Sequence, residues 1–283
     1  MAQTFGGPWT LLKLEGLEEY LLAFNTALKN LPFMRIYIDA FAGSGDFRIE
    51  SADAPLLENE KSSDVHAGSV RRALSVNPPF HKLYFVDTDL ENVKALQGLA
   101  DANDARRAVV RPGDANEEIA RICADTDWRN TRGVLFLDPY GNEVEWATLE
   151  NIARSTKLDV WYLFPLSGVF RNAPIDKGKL TADKRASISK ILGTPDWEQA
   201  FYSAPEQAQS SLFSMPVEAA QRTMNVDGIE AFVKTRLETE FSLVLGPKRL
   251  LGPRRAPLFS LFFAMSNKSE KATALARRIL YRL

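Results

Sequence analysis

Apolar positions along this 283-residue chain follow first a helical and then an extended rhythm. Over residues 9–30, Leu11, Leu14, Leu17, Leu21, Leu22, Phe24 and Leu28 recur at three- and four-residue steps. That spacing predicts an amphipathic helix, weakened by Gly16 and ended by Pro32. Lys13 on it reads as a solvated helical lysine, the alternative being a reach toward a ligand. The chain then turns to Arg35-Ile-Tyr-Ile-Asp39, an apolar run that ends in an acid and breaks at once into Ala40-Phe-Ala-Gly-Ser-Gly45. A buried strand delivering the backbone into a small-residue turn is expected here.

Residues 46–67 are polar and irregular, a loop long enough to be functional. Ser69 is expected to cap a helix that Asn77-Pro-Pro79 stops. Apolar runs at 82–89, 108–114, 133–138 and 158–166 supply four more strands, and helical patterns fall at 91–99 and 117–123. Asn142 with Glu145 three residues on resembles a capping pair, ahead of Leu149 and Ile152. From 167 to 226 the pattern changes to polar helical pieces near 181–192, 196–202 and 216–224, which predict an insertion or lid without a core of its own. A helix over 228–240 follows. Strands at 241–245 and 258–265 are then joined by a Gly-Pro-rich link, too short for a crossover helix but suited to an antiparallel hairpin, and a helix at 271–283 closes the chain. The sum is a single α/β domain over 1–283, with a Rossmann-like, mostly parallel sheet, a C-terminal antiparallel hairpin and helices on both faces.

Composition narrows the function only a little. Hydrophobic residues make up 45 % of the chain, with seventeen Phe and five Trp, enough for a sizeable core. Thirty-five Lys and Arg balance thirty-six Asp and Glu, so no global charge recommends a nucleic-acid partner. Local clusters exist at Arg71-Arg72, Lys184-Arg185 and Lys248 to Arg255, and the last reads as a solvated hairpin tip that could edge a phosphate groove. One cysteine, Cys123, and two histidines, His66 and His81, exclude a disulfide framework and offer no metal centre; Cys123 is expected in the core. With no apolar run of membrane-spanning length and no signal-like start, a cytoplasmic protein without a membrane partner is expected.

The chemistry gathers at the predicted strand ends: Asp39, Gly43, Gly45, Asp87, Asp114, Asp138 and Tyr140. Ligands of open parallel sheets bind beyond these carboxyl ends. A dinucleotide loop would place a third glycine where Arg48 stands, and would put the ribose-binding acid nearer than Asp87. Asp39-x-Phe41-x-Gly43-x-Gly45 instead resembles the first motif of class I methyltransferases. The resemblance implies an S-adenosylmethionine cofactor held by Asp39, Phe41, Gly43, Ser44 and Gly45, with Asp87 on the ribose hydroxyls. Asp114 would accept from the adenine amino group, and the Ala115 N–H would face the ring.

Asp138-Pro139-Tyr140-Gly141 is similar to the Asp/Asn-Pro-Pro-aromatic motif of methyltransferases that act on exocyclic amines, although the second proline is missing. It implies a reaction centre in which Asp138 and the Pro139 carbonyl orient an amine and Tyr140 faces the substrate. Together with Phe85-Val-Asp-Thr-Asp89 and Phe259-Ser-Leu-Phe-Phe-Ala-Met265, these motifs resemble the three-Cys-motif partner protein family. That family carries a methyltransferase-like fold and is named for a cysteine-motif protein, here an expected partner. The expected activity is methyl transfer to an amine, with a nucleic-acid base the leading substrate class. The other expectation is a partner-binding module that keeps the fold without turnover.

Overall fold

A computed structural model describes residues 3–4, 8–48, 65–103, 107–202, 220–252, 256–267 and 269–283. Seven strands form the main sheet: β1 (Met34–Asp39), β2 (Lys82–Asp87), β3 (Ala108–Pro112), β4 (Thr131–Leu137), β5 (Leu158–Phe164), β6 (Leu243–Leu251) and β7 (Pro257–Met265). Their order is β3-β2-β1-β4-β5-β7-β6. The first five run parallel, and β7 is antiparallel to both β5 and β6. The predicted mostly parallel sheet with a C-terminal hairpin is thus what the chain forms.

Helices cover both faces because the strands are apolar on both. On β1, Ile36 and Ile38 join one core cluster and Tyr37 the other. The first face is packed by α4 (Ala115–Asp125), α5 (Trp146–Ser155), the inserted helices α6 (Leu166–Asn172), α7 (Ala182–Leu192) and α8 (Trp197–Phe201), and α9 (Val226–Glu240) after the insertion. Ile188, Ile191, Trp197 and Phe201 of the insertion are fully buried in that shared cluster. The opposite face carries α1 (Pro8–Leu28), α2 (Ser69–Ser75), α3 (Leu90–Asn103) and α10 (Glu270–Arg282). Gly16, a weak helix former, sits where a Cβ would come within 2.9 Å of Ile279 on α10. The two helices can approach there only because it has no side chain.

Several local expectations are corrected. The stretch predicted as an irregular loop at 46–67 begins and ends in strands: Asp46–Arg48 pairs antiparallel with Val65–Ala67, and Gln3–Thr4 adds a parallel third strand. Its middle, 49–64, lies outside the described residues. Gly68, not Ser69, is the N-cap of α2. Asn142 and Glu145 form no capping pair. Glu145 precedes α5 without a side-chain cap, and the Asn142 amide donates to Ser187 Oγ at 3.1 Å. The helix expected at 216–224 falls partly outside the described residues, and Gln221 and Arg222 make isolated antiparallel bridges with Asp176 and Tyr202. Cys123 is only half-buried, at the rim of the core.

Candidate active site

The carboxyl ends of β1, β2, β3 and β4 lie side by side, so every residue singled out in the sequence arrives at one edge of the sheet. Beyond Asp39 the chain stays tied to both neighbouring strands: the Ala40 amide donates to the Phe136 carbonyl (3.2 Å) and the Ala42 amide to that of Val86 (2.9 Å). Gly43 and Gly45 then take φ of 60° and 86°. Left-handed backbone of this kind is open to glycine and strained for other residues. Ser44 spends its hydroxyl inside the turn, donating to the Asp46 carbonyl at 3.1 Å. Phe41 packs half-buried against the first core.

Asp87 holds the turn from the next strand. Its Oδ2 accepts from the Gly43 amide at 2.9 Å, while Oδ1 accepts from the Asp89 amide (2.8 Å) and the Asn92 side chain (3.1 Å). Asp89, the second acid after β2, is committed to capping α3 through the amides of Glu91 and Asn92. Asp114 caps α4 in the same way, its Oδ1 accepting from Asn116 and Glu117. Ala115, the first residue of that helix, is buried.

Asp39 is wholly buried. Its Oδ2 accepts from the Tyr37 hydroxyl at 3.1 Å, and Oδ1 lacks a well-aligned partner. Burial pushes its pKa up to about 7; the nearby Ser69 hydroxyl pulls it back, and the charge of Asp138 raises it further. Such a group sits between its charged and neutral forms at neutral pH, and a donor or cation brought beside it would draw it to the carboxylate.

Asp138 is not free to the solvent. Lys13 of α1 pairs with its Oδ2, and the two side chains are 11 % and 24 % exposed. The solvated reading of Lys13 is therefore corrected: it belongs to the site. A signal for this was present in the spacing, because Lys13 stands four residues before Leu17 and seven before Tyr20, on the apolar stripe of its helix. Pro139 is buried, while Tyr140 is 76 % exposed and its amide donates to Glu143 Oε2 at 3.1 Å. Sequence reasoning also passed over Asn116. Its Oδ1 accepts from the Glu145 amide (2.9 Å) and Thr148 hydroxyl (2.7 Å), and its Nδ2 donates to the Glu143 carbonyl (3.0 Å), so it fastens the turn after β4 to α4.

The arrangement is a glycine turn flanked by carboxylates, with Lys13 on its α1 side. It suits a ligand rich in hydroxyl, amine or cationic groups.

No family model matches the chain, and no curated protein is a match. Among solved structures it is similar to the Legionella pneumophila protein LPL1258, of the family DUF519, with a TM-score of 0.53 at 10 % identity, over 100 % of this chain and 92 % of the other. At that identity the likeness is one of fold. The strand order, with β7 antiparallel between β5 and β6, is that of a Rossmann-like class I methyltransferase sheet. Looser likenesses, too weak to carry an argument, reach the N-terminal domain of EvdMO1 crystallised with SAH and D-fucose (TM-score 0.42, 12 % identity, 88 % of this chain and 82 % of that one). Spermidine synthase from Thermotoga maritima is at a similar level (TM-score 0.40, 11 % identity, 93 % and 61 %).

Proposed function

We propose that the protein is an S-adenosylmethionine-dependent methyltransferase acting on an amine, with a nucleic-acid base the leading substrate class. The observation that carries this is the meeting of a positive-φ glycine turn, buried Asp39 and half-buried Asp87 beside the Lys13–Asp138 pair. The residues fit the cofactor. Its ammonium, ribose hydroxyls and adenine amine are donors, and Asp39, Asp87 and Asp114 are acceptors, with Asp39 keeping an unsatisfied buried oxygen. Gly43, Ser44 and Gly45 would bring backbone close to it, Phe41 would wall one side, and Ala115 would meet the adenine. S-adenosylmethionine, when bound, supplies a methyl group already activated on sulfur.

Asp138 and the Pro139 carbonyl would orient the amine lone pair, and Tyr140, open to solvent, would cover the substrate as it docks. Lys13 holds Asp138 in place as an acceptor. Alignment of this kind is the main demand of such a displacement. The whole chain would act as one domain that includes the insertion at 167–226, in the cytoplasm, beside a three-Cys-motif partner protein.

A second reading, a partner-binding module without turnover, draws on the fact that Lys13 already occupies Asp138 and that Tyr140 stands exposed. Calorimetry with S-adenosylhomocysteine, followed by transfer of labelled methyl to nucleic acids and other amines, separates the two. Binding with transfer that Asp138→Ala abolishes supports the enzyme. Binding with no transfer to any amine class supports the module, and no binding to folded protein removes both the cofactor and the enzyme.

A further inference from the structure

At the opposite end of the sheet, α1 and α10 part over the amino ends of β4 and β5 and leave a half-open cavity of ≈ 650 Å³. That volume lies within the roughly 300–1,000 Å³ typical of small-molecule sites. Small residues leave the space open: Ala23 and Ala27 lie one turn apart on α1, and Ala272 lines the cavity from α10. A packed interface would fill such positions with larger side chains. Phe24, Leu275 and Met265 complete an apolar wall.

Charge is distributed unevenly around it. Lys157, Lys271 and Arg132 line the cavity, against a single acid, Asp159. The Arg132 guanidinium is anchored over the Phe33 ring (3.9 Å to its centre) and on the Thr131 carbonyl (2.7 Å). Among the described residues the ammonium groups of Lys157 and Lys271 have no hydrogen-bond or ion-pair partner. Asp159 is buried and already engaged by the Tyr20 hydroxyl at 2.8 Å. An apolar interior with an excess of positive charge at its edges complements an amphiphile with an anionic head, and repels the same body carrying a cation.

We propose that this cavity binds an apolar monocarboxylate, its hydrocarbon body between α1 and α10 and its head on Lys157 and Lys271. Ammonium–carboxylate hydrogen bonds hold the head, and burial of the chain against Ala23, Ala27 and Ala272 supplies the remaining affinity. The site shares α1 and β4 with the Asp138 region but lies at the other end of the sheet and has no lining residue in common with it, and it is independent of the methyl-transfer reading.

Calorimetric titration of the full chain with sodium dodecanoate, below its micellar concentration, tests the proposal. One saturable site per chain is expected, with dodecylammonium binding weaker by about tenfold or more. Filling the cavity with Ala27→Phe should abolish binding while a cooperative melting transition persists. Should that variant not fold, the Lys157→Gln/Lys271→Gln double variant, which leaves the packing alone, should weaken dodecanoate by about tenfold. Absence of saturable binding, uptake of many molecules per chain, equal affinity for dodecylammonium, or indifference to loss of both lysines would each overturn it.

Discussion

The two ends of the parallel sheet handle buried acids differently, and one helix serves both. Seven residues apart on α1, Lys13 reaches Asp138 beyond the carboxyl end of β4, and Tyr20 reaches Asp159 near the amino end of β5. At the first end a cation meets the acid at the edge of solvent, among glycine backbone and further carboxylates. At the second a phenol meets it deep beneath two helices, where burial pushes the Asp159 pKa up to about 7 while the Tyr20 hydrogen bond pulls it back. The carboxyl end thus gathers several acceptors, of which Asp87 and Asp114 already hold backbone amides. The amino end disfavours the charge on its acid, which no ion pair offsets among the described residues, beside an apolar space.

Substitutions at the two ends should separate these roles. The largest effect is expected for Asp87→Ala, which removes both the proposed ribose acceptor and the bond that fixes Gly43. S-adenosylhomocysteine affinity should fall about 100-fold, near the 3 kcal/mol upper range for hydrogen bonds to a charged group, with dodecanoate binding at the other end unchanged by calorimetry. Lys13→Met should cost about 2 kcal/mol in urea unfolding, less than the loss of a fully buried pair because Asp138 keeps some contact with water. Adding Asp138→Asn to it should recover part of that loss; a purely additive double variant would show that the pair does not couple.

Asp159→Asn should act in the opposite direction and only with pH. Folding raises this group from its ordinary 3.8 to about 7, so the native state holds the proton more tightly. Its contribution therefore declines as pH rises through that window and is flat above it. The variant should gain about 1–2 kcal/mol over the parent at pH 8, part of the roughly 1.4 kcal/mol per tenfold change in proton affinity being lost to relaxation. At pH 4 the two should melt alike; an equal gain at both pH values would mean that ionisation is not the cause. Tyr20→Phe should have the smallest effect, about 1 kcal/mol. It should be greater at pH 8 than at pH 5, because the phenol supports the ionised carboxylate.

Much of the carboxyl end was legible in the chain. Asp39, Asp87, Asp114 and Asp138 each close an apolar run, and a parallel sheet brings such termini together whatever its helices do. Gly43 and Gly45 were legible for a related reason, since a turn that needs positive φ restricts the residue directly. The amino end was not. Nothing local joins Tyr20 to Asp159, 139 positions apart, and a cavity is a shortfall of volume summed over α1, α10 and two strands. Lys13 falls between: its place on the apolar stripe was visible, but not the acid opposite.

The sequence by itself determined the strand–helix alternation, the antiparallel hairpin and the glycine turn, because periodicity and backbone stereochemistry act over a few residues. Tertiary structure alone decided that Lys13 neutralises Asp138, that Asn116 fastens the turn after β4, and that alanines on two helices leave a cavity over Asp159. Those outcomes depend on which distant side chains share a desolvated space, and only the folded chain sets that.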